Sequence, residues 1–380
     1  MDILNYTEEH RIFRSTVRKY FEKEVIPYVE EWERARITPK NAWKKLGAQG
    51  FLCMSVPEEY GGLGADFLYS VIMIEEMSRT NHCGLRTSLH SDVVVPYIVS
   101  FASEELKHRY LPGCISGDII TAVGMTEPNT GSDLAAKRTT AVEDGDVFVI
   151  NGQKTFISNG INCGIVIVAA KDPMIENPYK AMDLYIVEEG TPGFDKGKQI
   201  EKIGWHSQDT AELYFSDCRI PRGNRLGEKG SGFSHLMEKL RQERLIASLG
   251  AQAASEYMLH ITIDYCKERT AFGKPISKFQ HNQFKIVEMA TEVKLGRTFV
   301  DKLVADHMED KDITVEVSMA KFWITEMANR VADQCVQLHG GYGYCEEYPI
   351  ARAWRDIRVT PIFAGTNQIM RQIISKSMGL

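Results

Sequence analysis

The chain has 380 residues, 43% of them hydrophobic, with 45 Lys and Arg against 51 Asp and Glu for a net charge of −6, enough to bury a large core in two or three domains and without the basic excess of a nucleic-acid binder. Eight scattered cysteines without a CxxC pair argue against a zinc site and for free thiols in a reducing compartment. The acidic, amphipathic opening MDILNYTEEH and the lack of any apolar run near the roughly 18 residues of a membrane span lead to the expectation of a soluble, cytoplasmic protein.

Thr7 followed by Glu8 and Glu9 predicts a helix start, and Phe13, Val17, Tyr20 or Phe21 and Val25 recur at helical spacing up to Pro27. Further helices are expected over 41–49, 69–79, 89–100 and 104–110, making an N-terminal helical domain of residues 1–120. Residues 121–228 read as a β-domain. There VFVINGQKTFIS predicts a hairpin about Asn151-Gly152, with strands at 165–169, 184–187 and 211–215. Apolar stripes over 233–266, 280–306, 315–339 and 367–376 predict a four-helix bundle occupying 229–380.

The loop VGMTEPNTGSD (Val123 to Asp133) stands where the helices give way to strands. Its glycines and the hydroxyls of Thr126, Thr130 and Ser132 suit a flat cofactor with a phosphate tail, though from these residues alone an ordinary Pro/Asn/Gly turn is the stronger reading. Two carboxylates stand among apolar neighbours. On the predicted helix the stripe Leu236, Leu240, Glu243, Ala247, Gly250, Ala254 carries Glu243 as its one charge. Burial raises a carboxylate's pKa and suits it to act as a base on weakly acidic C–H bonds; a structural pairing with an Arg is the alternative. Asp92 precedes Val93, Val94 and Val95. Helix capping by Ser91 or Asp92 is one reading, and a functional carboxylate the other. His339-Gly340-Gly341-Tyr342-Gly343 suits a helix C-cap or close approach to a phosphate, and is neither a Walker loop nor a Rossmann fingerprint.

Taken in order, PEEYGGLG, MTEPNTGSDL, NGQKTFISNG, RTAFGKPISKFQ, QLHGGYGY and FAGTNQIMR resemble the acyl-CoA dehydrogenase family of flavoproteins across nearly the whole chain. The resemblance implies a mainly α fold with a central, barrel-like β-domain between an N-terminal helical domain and a C-terminal four-helix bundle. It also implies a homotetramer, with FAD held between β-domain and bundle. By the same resemblance Val123, Met125, Thr126, Phe156 and Ser158 line the flavin from the β-domain, and Thr366 and Gln368 from the bundle. Arg269, Phe272, Gln280, Gln337 and Gly341 reach the FAD of a partner subunit, and Ser132 and Arg244 contact the CoA portion.

Many family members carry the catalytic Glu in a (Y/F)EGT motif, which here reads Phe363-Ala364-Gly365-Thr366. The long-chain and isovaleryl-type branches place it on the bundle helix before an Arg, as Glu243-Arg244 does. The implied chemistry is removal of the α-proton by Glu243 and passage of the β-hydride to flavin N5. The backbone N–H of Ala364 and a ribityl hydroxyl would polarise the thioester carbonyl, and an electron-transfer flavoprotein would accept the electrons. Asp92 resembles the base of an alicyclic branch that makes cyclic dienes in anaerobic degradation of cyclic and aromatic acids. The favoured expectation is therefore cyclohex-1-ene-1-carboxyl-CoA or a related cyclohexane-carboxyl-CoA thioester, with Asp92 as base. A straight or branched acyl-CoA with Glu243 as base is the alternative, and an acyl-CoA oxidase or a flavin monooxygenase a more distant one.

Overall fold

A computed structural model describes residues 3–380. The N-terminal layer comprises α1 (Glu8–Glu24), α2 (Val29–Ala35), α3 (Lys40–Ala48), α4 (Phe67–Arg79), a π-helical stretch Leu89–Val94 that runs into α5 (Val95–Phe101), and α6 (Glu104–Ser116). Thr7 caps α1 in a capping box whose third helical residue is His10 rather than Glu or Gln. The sequence stripe missed α2, because a seven-residue helix needs only Val29 and Trp32 to face the core.

Eight strands follow: β1 (Thr121–Gly124), β2 (Thr140–Asp144), β3 (Val147–Ser158), β4 (Ile165–Lys171), β5 (Met182–Glu188), β6 (Phe194–Gln199), β7 (Thr210–Pro221) and β8 (Arg225–Leu226). They form one sheet ordered β6-β7-β3-β2-β4-β5-β8, with β1 added parallel to β4. The hairpin expected at Asn151-Gly152 is corrected by the structure. The reversal lies at Gly145, where Asp144 pairs with Val147, and β3 runs straight through Asn151-Gly152. Those two residues mark a register shift against β7 instead. A Cβ on Gly152 would lie 2.5 Å from Thr139 Oγ1, so the glycine serves close approach within a bulged strand rather than a turn.

β4 explains how the layers join. Ile165, Ile167 and Ala169 pack into the core shared with the helices, while Val166, Val168 and Ala170 fill a second core inside the β-domain. A strand buried on both faces reads as a continuous apolar run, as IVIVAA does.

The C-terminal part contains α7 (Gly232–Glu268), the short hairpin β9 (Thr270–Ala271) and β10 (Lys274–Pro275), α8 (Gln280–Met308), α9 (Thr314–His339), α10 (Pro349–Ile357) and α11 (Asn367–Ser377). All four expected helices are present, and α10 is additional. Gly232 seats the start of α7 on the sheet, since a Cβ there would lie 2.5 Å from Asp183 Cα. One continuous core runs from Val17 and Trp43 through Leu245 and Leu249 to Ile324 and Val331, so the two helical layers pack directly on each other. Among the described residues no helix is long and apolar enough to cross a membrane.

Candidate active site

Glu243 lies on the buried face of α7, between Leu240 and Ala247. The residue is partly reachable by solvent, but Oε2 is shut off and has no hydrogen-bond partner among the described residues. Burial raises its pKa to about 7 against the opposing pull of Arg244 and Lys321. Arg244 is itself buried, with Nε unpartnered, so the guanidinium stays beside Glu243 and is not drawn to another acid. The hydroxyl of fully buried Tyr97 is also unpartnered, and the charge of Glu243 helps to raise its pKa.

Lys321 was not anticipated. It sits on α9, fully buried, and donates to the Gly365 carbonyl at 2.7 Å and to Asn367 Oδ1 at 3.1 Å. It thereby ties the segment Phe363–Asn367 to the bundle beside Glu243. The signal was in the sequence: Lys321 is the lone cation on the stripe Val317, Lys321, Ile324, Ala328, just as Glu243 is the lone charge on the α7 stripe Leu236, Leu240, Glu243, Ala247.

Asp92 belongs to the π-helical stretch and is 7% exposed. The capping reading fails for both candidates. Ser91 Oγ accepts from Cys53 N–H at 2.9 Å, and Asp92 Oδ1 accepts from the Ser70 hydroxyl at 2.6 Å. Burial raises the Asp92 pKa to about 7, offset in part by the Ser70 bond. Gln242 Nε2 donates to the Asp92 carbonyl at 2.7 Å, so the two candidate carboxylates stand on segments in direct contact.

The β-domain contributes a shelf. Val123 pairs with Ile167, and beyond it Met125 packs against the helical core. Thr126 C=O accepts from Thr155 N–H at 2.9 Å, which brings the next residue, Phe156, alongside. Phe156 has φ +58° at the bulge between Lys154 and Ile157, and its ring is 64% exposed. Ser158 ends β3. The loop is anchored by Glu127, which accepts from the N–H groups of Arg138 and Thr139 and from Lys154 Nζ at 2.6 Å. Burial pushes Glu127 up, but Lys154 and the amides outweigh it and keep it ionised. Ser132, farther along the loop, is exposed.

From the bundle side, Phe363 meets Trp205 edge-to-face at 5.4 Å. Ala364 takes φ +53°, and its N–H donates to no other backbone group among the described residues. Thr366 caps α11 by accepting from Ile369 N–H, and Gln368 is exposed. An exposed aromatic ring on strained backbone, hydroxyls at Thr126 and Ser158 and an unspent N–H at Ala364 fit a flat, polar heterocycle.

Five of the expected contacts lie elsewhere. Arg269, Phe272, Gln280, Gln337 and Gly341 are all exposed, Phe272 at 95%. They gather at the far end of the bundle, where Arg269 lies over Tyr342 at 5.4 Å and Phe272 meets Phe279. Arg269 is 26 residues beyond Glu243 and directly follows α7, which puts it roughly 39 Å away along the axis. One chain does not bring them to its own Glu243.

A desolvated carboxylate between a helical bundle and an aromatic shelf on a sheet is the arrangement of a flavin-dependent oxidoreductase. Family models described as the N-terminal, middle and C-terminal domains of acyl-CoA dehydrogenase match residues 7–118, 122–218 and 230–379. The chain is 44% identical over 374 residues to the long-chain specific acyl-CoA dehydrogenase, mitochondrial, of Sus scrofa, covering 98% of this chain and 87% of that protein. The crystal structure of an acyl-CoA dehydrogenase from Geobacillus kaustophilus superposes with a TM-score of 0.97 at 53% identity, with 99% of each chain covered. A glutaryl-CoA dehydrogenase from Mycobacterium smegmatis in complex with FADH2 superposes at 0.91 with 27% identity, covering 99% of this chain and 95% of that one. The chain belongs to the acyl-CoA dehydrogenase family. It is an oxidoreductase acting on acyl-CoA, and FAD is its cofactor. Among the described residues no cluster of His, Cys, Asp or Glu is built to hold a metal ion.

Proposed function

We propose that this chain desaturates straight-chain acyl-CoA thioesters at the α,β bond, with Glu243 as the base. The supporting observation is the Glu243 carboxylate itself, which has an unpartnered, solvent-shielded oxygen and a pKa near 7. A base of that pKa is largely ionised just above neutrality and still strong enough to take an acidified C–H proton. Arg244 and Lys321 keep a share of the ionised form available, because each favours the charged carboxylate. The Ala364 N–H is free to donate to the thioester carbonyl as negative charge develops on its oxygen. FAD, when bound, supplies the acceptor for the β-hydride. Val123, Met125, Thr126, Phe156, Ser158, Thr366 and Gln368 would hold it within the chain. Arg269, Phe272, Gln280, Gln337 and Gly341 would hold the FAD of a neighbouring copy in a homotetramer, and Ser132 would meet CoA. An electron-transfer flavoprotein is the proposed partner that reoxidises the enzyme.

Anaerobic flavin bleaching tests the base. With hexanoyl-CoA, Glu243→Gln is expected to slow bleaching by about 10³-fold, in the range of a lost general base; bleaching at the wild-type rate would remove Glu243 from the role. A second reading keeps Asp92 as base toward cyclic thioesters, since it too is buried with a pKa near 7. Bleaching by cyclohex-1-ene-1-carboxyl-CoA that survives Glu243→Gln and is lost in Asp92→Asn would establish that reading.

A further inference from the structure

Two consecutive residues of the Phe363–Asn367 segment take left-handed backbone, Ala364 at φ +53° and Gly365 at φ +84°. Glycine adopts that conformation freely, but an alanine is strained there and stays only where its surroundings hold the chain. Lys321 does the holding. Its ammonium, fully buried on α9, donates to the Gly365 carbonyl at 2.7 Å, one residue beyond Ala364, and to Asn367 Oδ1 at 3.1 Å. Asn367 Nδ2 donates in turn to Thr325 Oγ1 at 3.1 Å, and the Thr325 hydroxyl donates to the Lys321 carbonyl at 2.7 Å. The ring of bonds closes on itself. The turn is fastened to one stretch of α9, and the Ala364 N–H is left without a backbone acceptor among the described residues.

The same ammonium is a third charge beside the base. Burial and Arg244 work against it, while Glu243 and, more weakly, Glu326 favour it. Glu326 is already paired with Arg371 at 2.7 Å. Lys321 and Arg244 each favour the ionised form of Glu243, so one carboxylate faces two cations. Removal of the α-proton breaks the C–H bond, leaves its electron pair on the substrate as an enolate and puts the proton on Glu243. Negative charge thereby moves from the carboxylate to the thioester oxygen, and the excess of one positive charge stays where it was. A fixed charge in a dry site stabilises that product without any reorganisation.

We propose that Lys321 is a positioning residue of the proton-transfer step: through the Gly365 carbonyl it aims the Ala364 N–H at the thioester oxygen, and its charge offsets the negative charge on either side of the transfer. This rests on the reading that makes Glu243 the base. The two contributions separate chemically. Glutamine at position 321 keeps an N–H donor for Gly365 and loses the charge, whereas arginine keeps the charge. If Lys321 only pinned α11 to α9, its loss would lower stability and leave the ionisation of a bound substrate where it was.

The test uses the full-length holoenzyme and 3-thiahexanoyl-CoA, whose β position is a sulfur. That position has no hydrogen, so no hydride can leave, while the α-proton can still be removed. The bound enolate is read as a long-wavelength charge-transfer absorbance with the oxidised flavin, and the measured quantity is the pH at which half of it has formed. Lys321→Met is expected to raise that midpoint by about one pH unit or more, because the negative charge loses one of its two cations whichever oxygen carries it. Lys321→Gln should move it in the same direction, and Lys321→Arg should return it toward wild type. With hexanoyl-CoA, Lys321→Met is expected to lower kcat by about 100-fold. An unchanged midpoint in Lys321→Met overturns the proposal. If that variant fails to fold, Lys321→Gln against Lys321→Arg decides, and equal midpoints overturn it. An enolate band that still forms in Glu243→Gln sinks the base assignment. In that background a midpoint that follows Lys321→Met leaves the role of Lys321 standing, and one that does not removes it as well.

Discussion

Glu243 is held at a cost that its own titration makes measurable. In the unfolded chain it titrates near 4.5, and in the fold near 7. Between those values the native state binds more protons than the unfolded state, so this residue makes stability fall as pH rises from about 4.5 to about 7, with no further change above. Glu243→Gln removes the penalty. The variant is expected to be more stable than wild type at pH 8, by on the order of 1–3 kcal/mol. Denaturant midpoints should show that gap closing as the pH falls below the unfolded-state value. Activity runs the opposite way: with Glu243 as base, kcat/KM rises through about pH 7 to a plateau, and the rising limb is the ionisation of this carboxyl. Glu243 and Lys321 were each visible as a lone charge on an apolar helical stripe. Arg86, whose guanidinium carbon lies 4.1 Å from the centroid of the Trp205 ring, was not, because it lies in irregular chain where no period marks which side chains face inward.

At the scale of elements, glycines decide how closely helices cross. Gly47 lies inside α3, where alanine would favour the helix by about 1 kcal/mol. A Cβ there would sit 2.1 Å from the Ser116 carbonyl oxygen, a backbone atom at the end of α6 that cannot swing aside. Overpacking wins, and Gly47→Ala is expected to lose about 2 kcal/mol or more, read as a lower denaturation midpoint at unchanged slope. Gly250 provides the contrast. Its nearest atom would be Arg86 Nη2 at an ordinary 3.8 Å, so Gly250→Ala should leave stability unchanged or raise it by up to about 1 kcal/mol, read from the same midpoint. Helix existence was well anticipated because α7, α8 and α9 hold their apolar stripes over many turns. Asn151-Gly152 misled because a glycine that permits a turn also permits a bulge, and only the pairing of β3 with β2 and β7 selects between them.

Across the whole molecule, the exposed cluster at the far end of the bundle is where the proposed second copy of the chain would be met. Phe272 touches little of its own subunit beyond Phe279. Phe272→Ser is therefore expected to leave the denaturation midpoint of the flavin-free chain unchanged while weakening subunit assembly and FAD retention together. Light scattering coupled to size exclusion, read alongside flavin absorbance, checks both. Full retention of FAD and of assembly would count against any role for this end of the bundle in a neighbouring site.

What the amino-acid sequence by itself determined is what repeats locally or recurs as a motif. The helix–sheet–helix order follows from periodicity, and the acyl-CoA dehydrogenase resemblance from six ordered motifs. The suspicion about Glu243 came from its helical stripe. The tertiary structure decided the matters that depend on contacts between distant segments. Asp92 answers to Ser70 rather than to a helix cap, Lys321 reaches across to Gly365, and Glu127 anchors the Val123–Asp133 loop through Lys154. Arg86 meets Gly250 and Trp205 and has no ion pair among the described residues. The physical reason is common to all of them. The state of a buried charge is set by desolvation and by whichever partners lie within a few ångströms, and chain folding brings those partners from anywhere in the sequence.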